Sequence, residues 1–222
     1  FQVYAVKETE YSKRCFFRLT GTAGAVLPEL TSSYFSDVFD DEKWNFSVSI
    51  KPSVYPVADN PAGSEGHDYI VEFYGAQNVL SDTQREFLAT GTISNTDGRR
   101  FMSADKSVFV GAHRTNFSGS LLERSDASVS STRVWLTHLS TGTIKQHATD
   151  VKNYGVPSPY RSAYLFQSSM SGTYVPEIET LALNWNFDTV SSSDASGQFI
   201  VKDFSSGSTS VADRYNWLGD VV

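Results

Sequence analysis

The stretch Trp44-Asn45-Phe46-Ser47-Val48-Ser49-Ile50-Lys51 decides the fold class, because apolar and polar residues alternate along its whole length. A period of two places every second side chain on the same face of an extended chain, so this stretch predicts a half-buried β-strand. Residues 181–188 alternate as clearly. Weaker alternation predicts further strands at residues 69–74, 87–93, 107–111, 132–136 and 199–204.

Clusters of Gly, Pro, Asn, Asp and Ser separate these stretches, at residues 59–64, 95–98 and 154–159. Because residues 95–98 (Asn-Thr-Asp-Gly) join two apolar runs, we predict a hairpin turn there. The best helical segment is short and spans residues 140–148, opened by Ser or Thr. Many short strands with almost no helix predict an all-β protein with antiparallel sheets.

Side chains on the inner faces of the predicted strands should form the core between two sheets. The predicted core residues are Trp44, Phe46, Val48, Ile50, Phe73, Phe109, Trp135, Leu183, Trp185 and Phe187.

Composition limits the classes of partner. The 222 residues carry 18 basic and 25 acidic side chains, for a net charge of −7, without a basic block that would bind nucleic acid or an anionic membrane. The sequence has no run of 18 consecutive apolar residues, so it predicts no transmembrane helix. Cys15 is the only cysteine, which excludes an intrachain disulfide and a cysteine-based zinc site. The lack of a leading Met and of a signal-peptide pattern indicates a mature fragment or a piece of a longer chain.

Three stretches, taken in order, resemble the laminin G-like branch of the concanavalin A-like lectin and glucanase superfamily. The first is residues 44–52, which end Ser-Ile-Lys-Pro. The second joins residues 108–112 (Val-Phe-Val-Gly-Ala) to residues 116–121 (Asn-Phe-Ser-Gly-Ser-Leu). The third is residues 131–135, followed by Leu139-Ser140 and Ile144. The resemblance covers about residues 34–150 and implies an antiparallel two-sheet jelly-roll sandwich.

The end of the chain departs from that family pattern. Residues 184–188 and 194–197 resemble the opening strand and first turn of such a module, which the family carries at its N-terminus. We therefore divide the chain into a laminin G-like sandwich at residues 1–180 and extra strands at residues 181–222. The extra strands either start a following module or close the same sandwich, as in a circular permutation.

A second resemblance spans most of the chain. Residues 111–117, 160–169 and 176–181 are similar to segments of large structural proteins of marine tailed phages, which carry laminin G-like segments in very long chains. This resemblance implies a location in a virion, and as partners other copies or other structural proteins of the particle.

Catalytic motifs are weak. The Glu-x-Asp-x-x-Glu motif of the superfamily's glycosidases is absent, although Glu8/Glu10 and Glu177/Glu179 have the spacing that shares a strand face. Gly-x-Ser-x-Gly is also absent, and residues 63–66 around Ser64 only approach it. Cys15 follows Arg14, which could lower the pKa of its thiol, but a small buried strand residue is the simpler interpretation.

Ligand and metal candidates are scattered. No two of His67, His113, His138 and His147 have a local zinc-binding spacing, and His113 beside Arg114 is the most suggestive as a loop pair. The family resemblance implies that a calcium ion is possible, with Asp105 and Asp126 as candidate ligands. Otherwise we expect no cofactor. Aromatic platforms for a sugar would come from Tyr55, Tyr69, Tyr74 and Tyr160.

Three hypotheses follow for the function. The leading one is a non-catalytic structural module of a phage virion protein, held by protein–protein contacts. The alternative is an adhesion module that binds a surface glycan or a receptor and acts outside or on the surface of a cell. A glycoside hydrolase or lyase is third, because the acid pair that this chemistry needs is missing.

Overall fold

The computed structural model describes residues 1–21, 26–54, 66–80, 82–114, 119–122, 125, 127–150, 180–188, 190–193, 195 and 199–205. The chain divides into two compact units. The first comprises Phe1–Ala104 and Ser140–Thr149, and the second comprises Asp105–Leu139 and Asp150–Val222.

In its described residues, the first unit contains two antiparallel sheets of three strands each. Sheet 1 has the order β1-β2-β3, and sheet 2 has the order β4-β5-β6. The strands are β1 (Gln2–Lys7), β2 (Cys15–Thr20), β3 (Leu30–Phe35), β4 (Trp44–Pro52), β5 (Tyr69–Val79) and β6 (Asp82–Ile93). Each sheet is a simple meander, because consecutive strands are always neighbours.

The apolar faces of the two sheets share one core. In β2 the alternation is complete, since Cys15, Phe17 and Leu19 are buried and the residues between them are only partly covered. The Phe17 ring lies 4.7 Å from the ring centres of Trp44 and Phe46 on the other sheet. Such close aromatic packing adds to the stabilisation from burying apolar area. The first unit is therefore sandwich-like in its packing.

A glycine makes room for the aromatic side chains of this core. Gly75 lies on the inner face of β5, between Phe46 on β4 and Phe87 on β6 in the strand register. A Cβ atom at residue 75 would overlap the Phe87 ring. The Phe73 and Phe87 rings then meet edge to face at 5.0 Å.

The part of the first unit that the structure describes also contains two helices, α1 (Asn95–Ser103) and α2 (Thr141–Thr149). The hairpin predicted at residues 95–98 is wrong, because these residues begin α1. The Ser94 hydroxyl caps this helix by accepting a hydrogen bond of 3.1 Å from the Asp97 backbone N–H. A serine cap followed by an acid three residues later outweighs the turn tendency of the Asp-Gly pair. The predicted helix at residues 140–148 is confirmed as α2, capped by Ser140.

In the described residues of the second unit, six short strands form antiparallel pairs. They are β7 (His113–Arg114) with β8 (Leu121–Leu122), β9 (Thr132–Trp135) with β10 (Leu181–Trp185), and β11 (Val190–Ser193) with β12 (Phe199–Val201). The strand predicted at residues 107–111 is not present. Phe109, predicted as core, is 38% exposed.

A β-bulge changes which residues of β10 are buried. The register with β9 shifts between Leu181 and Leu183, so one extra residue is inserted there. As a result Leu181 and Asn184 are buried, whereas the predicted core residues Leu183 and Trp185 are only partly covered. Because a one-residue insertion exchanges the two faces of a strand, alternation alone could not show this.

Hydrogen bonds join β10 to residues 203–205. Asn184 accepts a hydrogen bond from Arg133 Nε at 2.9 Å, and its backbone N–H donates to the Asp203 carboxylate at 2.9 Å. The buried Ser205 hydroxyl makes bonds of 3.0 Å with the Ala182 carbonyl and with Asp203. Burying these polar groups costs little, because each one has partners.

The prediction of an all-β protein with antiparallel sheets and few helices is confirmed. Among the other predicted core residues, Phe73 is fully buried and Trp44, Val48 and Ile50 pack against the buried cluster. Phe46 is 38% exposed, and Trp135 and Phe187 are partly covered. The division at residue 180 stays a prediction. Neither helix in the described part of the chain is long and apolar enough to cross a membrane.

Candidate functional site

Of the predicted catalytic candidates, the structure describes Glu8, Glu10 and Cys15, and these do not form a catalytic group. Glu8 and Glu10 lie beyond the end of β1, so they do not share a strand face. Glu8 instead binds the Arg14 guanidinium at 3.1 and 3.2 Å. Cys15 is fully buried, and burial raises the pKa of its thiol, which disfavours the reactive thiolate. Glu177, Glu179 and Ser64 lie outside the described residues.

The described metal candidates do not form a cluster. Within the described ranges, no group of three or more His, Cys, Asp or Glu side chains could hold a metal ion. Asp105 is exposed, whereas Asp126 lies outside the described residues. His67 and His147 belong to the first unit and His138 to the second, while the side chains of His113 and Arg114 are not among those described.

Two of the predicted aromatic platforms are buried. The Tyr69 ring belongs to the core cluster and packs against α1 at Gly98. Tyr74 is only 4% exposed, so its ring face is not available for stacking on a sugar. The other two candidates, Tyr55 and Tyr160, lie outside the described residues.

Tyr74 nevertheless lies at a groove on the outer face of sheet 2, beside α2. The groove has a volume of about 370 Å³ and is lined by Tyr74, Glu86, Phe87, Leu88, Thr141 and Lys145. The strand register brings Tyr74 and Leu88 together on adjacent strands, and α2 supplies Thr141 and Lys145. Volumes of this size are within the range of small-molecule sites.

Glu86 forms the polar side of this groove. One of its carboxylate oxygens, Oε2, accepts a hydrogen bond of 2.8 Å from the Tyr74 hydroxyl and pairs with Lys145 Nζ at 2.7 Å. Hydrogen bonds from Lys145 and Tyr74 lower the pKa of Glu86. Burial and the bond to Glu86 raise the pKa of Tyr74, so the phenol stays protonated as a donor.

A different kind of site lies at the edge of sheet 1. Among the described strands, β1 pairs only with β2, so no described strand covers its second edge. Val3 and Ala5 lie opposite Leu19 and Phe17, and on the same face of the sheet. Leu19 and Phe17 are buried, but Val3 is 37% exposed and Ala5 is also exposed.

The cover supplied by sheet 2 therefore ends at β2, and the core-facing side of β1 extends beyond it. A strand edge with exposed apolar side chains is a template for pairing with another chain. Only one residue of β1, Lys7, carries a charge, and its ammonium lies 4.8 Å from the centre of the Phe39 ring.

Comparison with known proteins gives no relative from which a role for either site could be inferred. No family model matches the chain, and no curated protein or solved structure matches it.

Apart from Tyr74, which the sequence predicts as an aromatic platform, neither site is predicted from the sequence. Glu86 and Lys145 are far apart in the chain, and neither belongs to a recognisable motif. The β1 segment, Val3-Tyr4-Ala5-Val6, is apolar without a break, so no period of two distinguishes its two faces.

Proposed function

We propose that this chain is a non-catalytic structural module of a virion protein, with a jelly-roll sandwich fold, held by protein–protein contacts. The exposed apolar side of β1 is the observation that carries the proposal. The location in a virion comes from the resemblance to phage structural proteins. Other copies or other structural proteins of the particle are the partners.

The contrast between neighbouring strands supports an interface at β1. Val3 and Ala5 belong to the face that is completely buried one strand away, yet they remain in contact with water. Covering such positions with a partner removes apolar area from water, at roughly 25 cal/mol per Å². A β-strand edge adds unpaired backbone groups to the same surface.

The backbone spacing of two acids on sheet 2, Glu72 and Glu86, supports a non-catalytic role for this face. Glu72 and Glu86 project from the outer face of sheet 2, where Glu72 lies opposite Thr90. Glu86 is four residues from Thr90 along β6, or about 13 Å at the rise of a strand. Glycoside hydrolases hold their two carboxyl groups roughly 5–9.5 Å apart. Glu72 is also paired with Lys51 at 2.9 Å.

Light scattering of the whole chain over a range of concentrations tests the proposal, with Val3→Lys/Ala5→Lys as the variant. We expect the unmodified chain to form assemblies and the variant to remain monomeric, because two ammonium groups at the edge oppose burial. Leu136→Lys is the matched control, since this exposed leucine lies in the second unit. An unmodified chain that is monomeric at every concentration would overturn the proposal.

A second candidate function, the binding of a surface glycan or receptor by an extracellular or cell-surface module, is favoured by the groove at Tyr74. Its polar side offers Lys145 and Glu86 to sugar hydroxyls, and Leu88, which is 54% exposed, provides an apolar contact. Calcium is not required by this geometry.

A glycan array, probed with and without calcium, tests this candidate. We expect the Lys145→Met and Glu86→Gln variants to lose any glycan signal. Lys43→Met should keep that signal, because Lys43 is exposed and does not line the groove. Equal signals from all of these variants would exclude the groove as the binding site.

A further inference from the structure

We propose that the partner of β1 is the β1 strand of a second copy of this chain, paired antiparallel about a two-fold axis at Tyr4. The inference rests on the proposed function and names the partner and the register. It follows from the direction of the backbone groups of β1, the faces of its side chains and its charge.

The backbone groups on the uncovered edge can be assigned from one hydrogen bond. Residues paired between β1 and β2 have numbers that sum to 22, as in Gln2 with Thr20 and Lys7 with Cys15. The next pair is Glu8 with Arg14, and the Glu8 N–H donates to the Arg14 carbonyl at 3.0 Å. In an antiparallel ladder such hydrogen-bonded pairs alternate with pairs that are not hydrogen-bonded.

Residues 2, 4 and 6 therefore direct their N–H and C=O groups towards β2. Val3, Ala5 and Lys7 direct theirs away from β2, to the uncovered edge. All three of these residues are exposed. The apolar side chains and the available backbone groups thus belong to the same residues of the strand.

Symmetry then restricts how a second β1 can pair. A two-fold axis perpendicular to the sheet leaves the core-facing sides of both β1 strands on the same face of the combined sheet. Odd-numbered residues must then pair with odd-numbered residues, so paired residue numbers have an even sum. When the paired residue numbers sum to eight, Val3 lies opposite Ala5 of the second copy and Tyr4 lies on the axis. With a sum of ten, Ala5 lies on the axis and Val3 lies opposite Lys7 of the second copy.

The Tyr4 register is favoured by its side-chain pairs. It places Val3 and Ala5 against each other on both sides of the axis, which forms a continuous apolar strip. It also places Lys7 outside this strip, opposite Phe1 of the second copy. The alternative register places a lysine against Val3. In neither register do like-charged side chains lie opposite each other.

The contact should be weak by itself. An edge of six residues per copy buries less than the roughly 1,200 Å² at the lower end of stable interfaces. We therefore expect a dimer that depends on protein concentration, and a covalent trap is the suitable assay.

A Tyr4→Cys variant of the whole chain provides that trap. Residues on the axis form a pair without hydrogen bonds, with Cα atoms about 4.5 Å apart. A disulfide needs about 4.4–6.8 Å. The native Cys15 is fully buried and should not compete. Under mild oxidation with glutathione, we expect Tyr4→Cys to form a disulfide-linked dimer on a non-reducing gel.

Gln2→Cys is the matched control, because Gln2 lies on the same strand face and is also partly covered. In the Tyr4 register the two Gln2 residues lie four positions apart, or about 13 Å, which is too far for a disulfide. A further pair avoids altering Tyr4: Val3→Cys mixed with Ala5→Cys should cross-link, whereas each alone should not.

Equal cross-linking of Tyr4→Cys and Gln2→Cys would overturn the inference, and cross-linking of Ala5→Cys alone would overturn the Tyr4 register. These failures differ from a failure of the proposed function. If the unmodified chain assembles in light scattering without a Tyr4→Cys cross-link, the structural role stands and the second copy is not the partner of β1. If it neither assembles nor cross-links, both proposals fail.

Discussion

Replacing Gly98 with alanine should destabilise the first unit, although the same change usually stabilises a helix. Gly98 is a buried residue of α1. A Cβ atom built there would lie closer than 3.0 Å to three atoms of the Tyr69 ring. Tyr69 belongs to the buried core cluster, so its ring cannot move aside without disturbing its neighbours.

The sign follows from two opposing terms. Alanine gains about 1 kcal/mol over glycine in the interior of a helix. Overpacking of a filled core costs about 1–3 kcal/mol, and a contact this short places Gly98→Ala at the upper end of that range. We therefore expect the free energy of unfolding to fall by about 1–2 kcal/mol, which corresponds to a decrease in Tm of about 2–8 °C.

Urea unfolding followed by circular dichroism measures this change, with Gly142→Ala as the matched control. Gly142 lies in α2, in the same unit, and its nearest neighbour would be the Ser140 hydroxyl oxygen at 3.7 Å, an ordinary contact. Gly142→Ala should raise the free energy of unfolding by up to about 1 kcal/mol. A Gly98→Ala variant as stable as the unmodified chain would refute the packing argument. In a Tyr69→Ala background, the cost of Gly98→Ala should disappear.

Three more outcomes are expected. The pKa of Glu86 is below its ordinary value in the folded protein, so ionised Glu86 stabilises the fold above about pH 4.5, and this stabilisation is lost as the pH falls further. Between about pH 7 and about pH 3.5, the urea midpoint should therefore fall more for the unmodified chain than for Glu86→Gln. Phe17→Ala should cost about 3–5 kcal/mol and Phe16→Ala, on the outer face, clearly less; equal costs would contradict the assigned faces of β2. The Cys15 thiol should react with a thiol reagent only after urea unfolding, and rapid labelling of the native protein would show that this strand opens.

The fold class could be predicted because period-two alternation reports directly on a half-buried strand. Residues 44–51, 69–74 and 132–135 lie in strands, and the helix at residues 140–148 followed from its serine cap. The prediction failed at residues 95–98, where one side-chain cap decided between turn and helix. It also failed at β10, where an inserted residue moved Asn184 into the buried position.

Apart from Tyr74, neither site could be predicted, because each depends on which elements the fold brings together. Glu86 alternates with its neighbours like any outward-facing strand residue, and Lys145 is a polar residue of a short helix. Their contact exists because α2 packs on the outer face of β5 and β6. Cys15, by contrast, was correctly interpreted as a buried strand residue, since a small apolar side chain in an alternating segment has few other roles.

The sequence by itself determined that this protein is built from antiparallel strands, because the alternation of apolar and polar side chains is a local property of consecutive residues. It also determined the acidic net charge and the absence of a cysteine-based zinc site. Only the tertiary structure decided which apolar residues remain exposed. Val3 and Ala5 resemble core residues in the sequence, but they lie in contact with water because the second sheet ends one strand short of them.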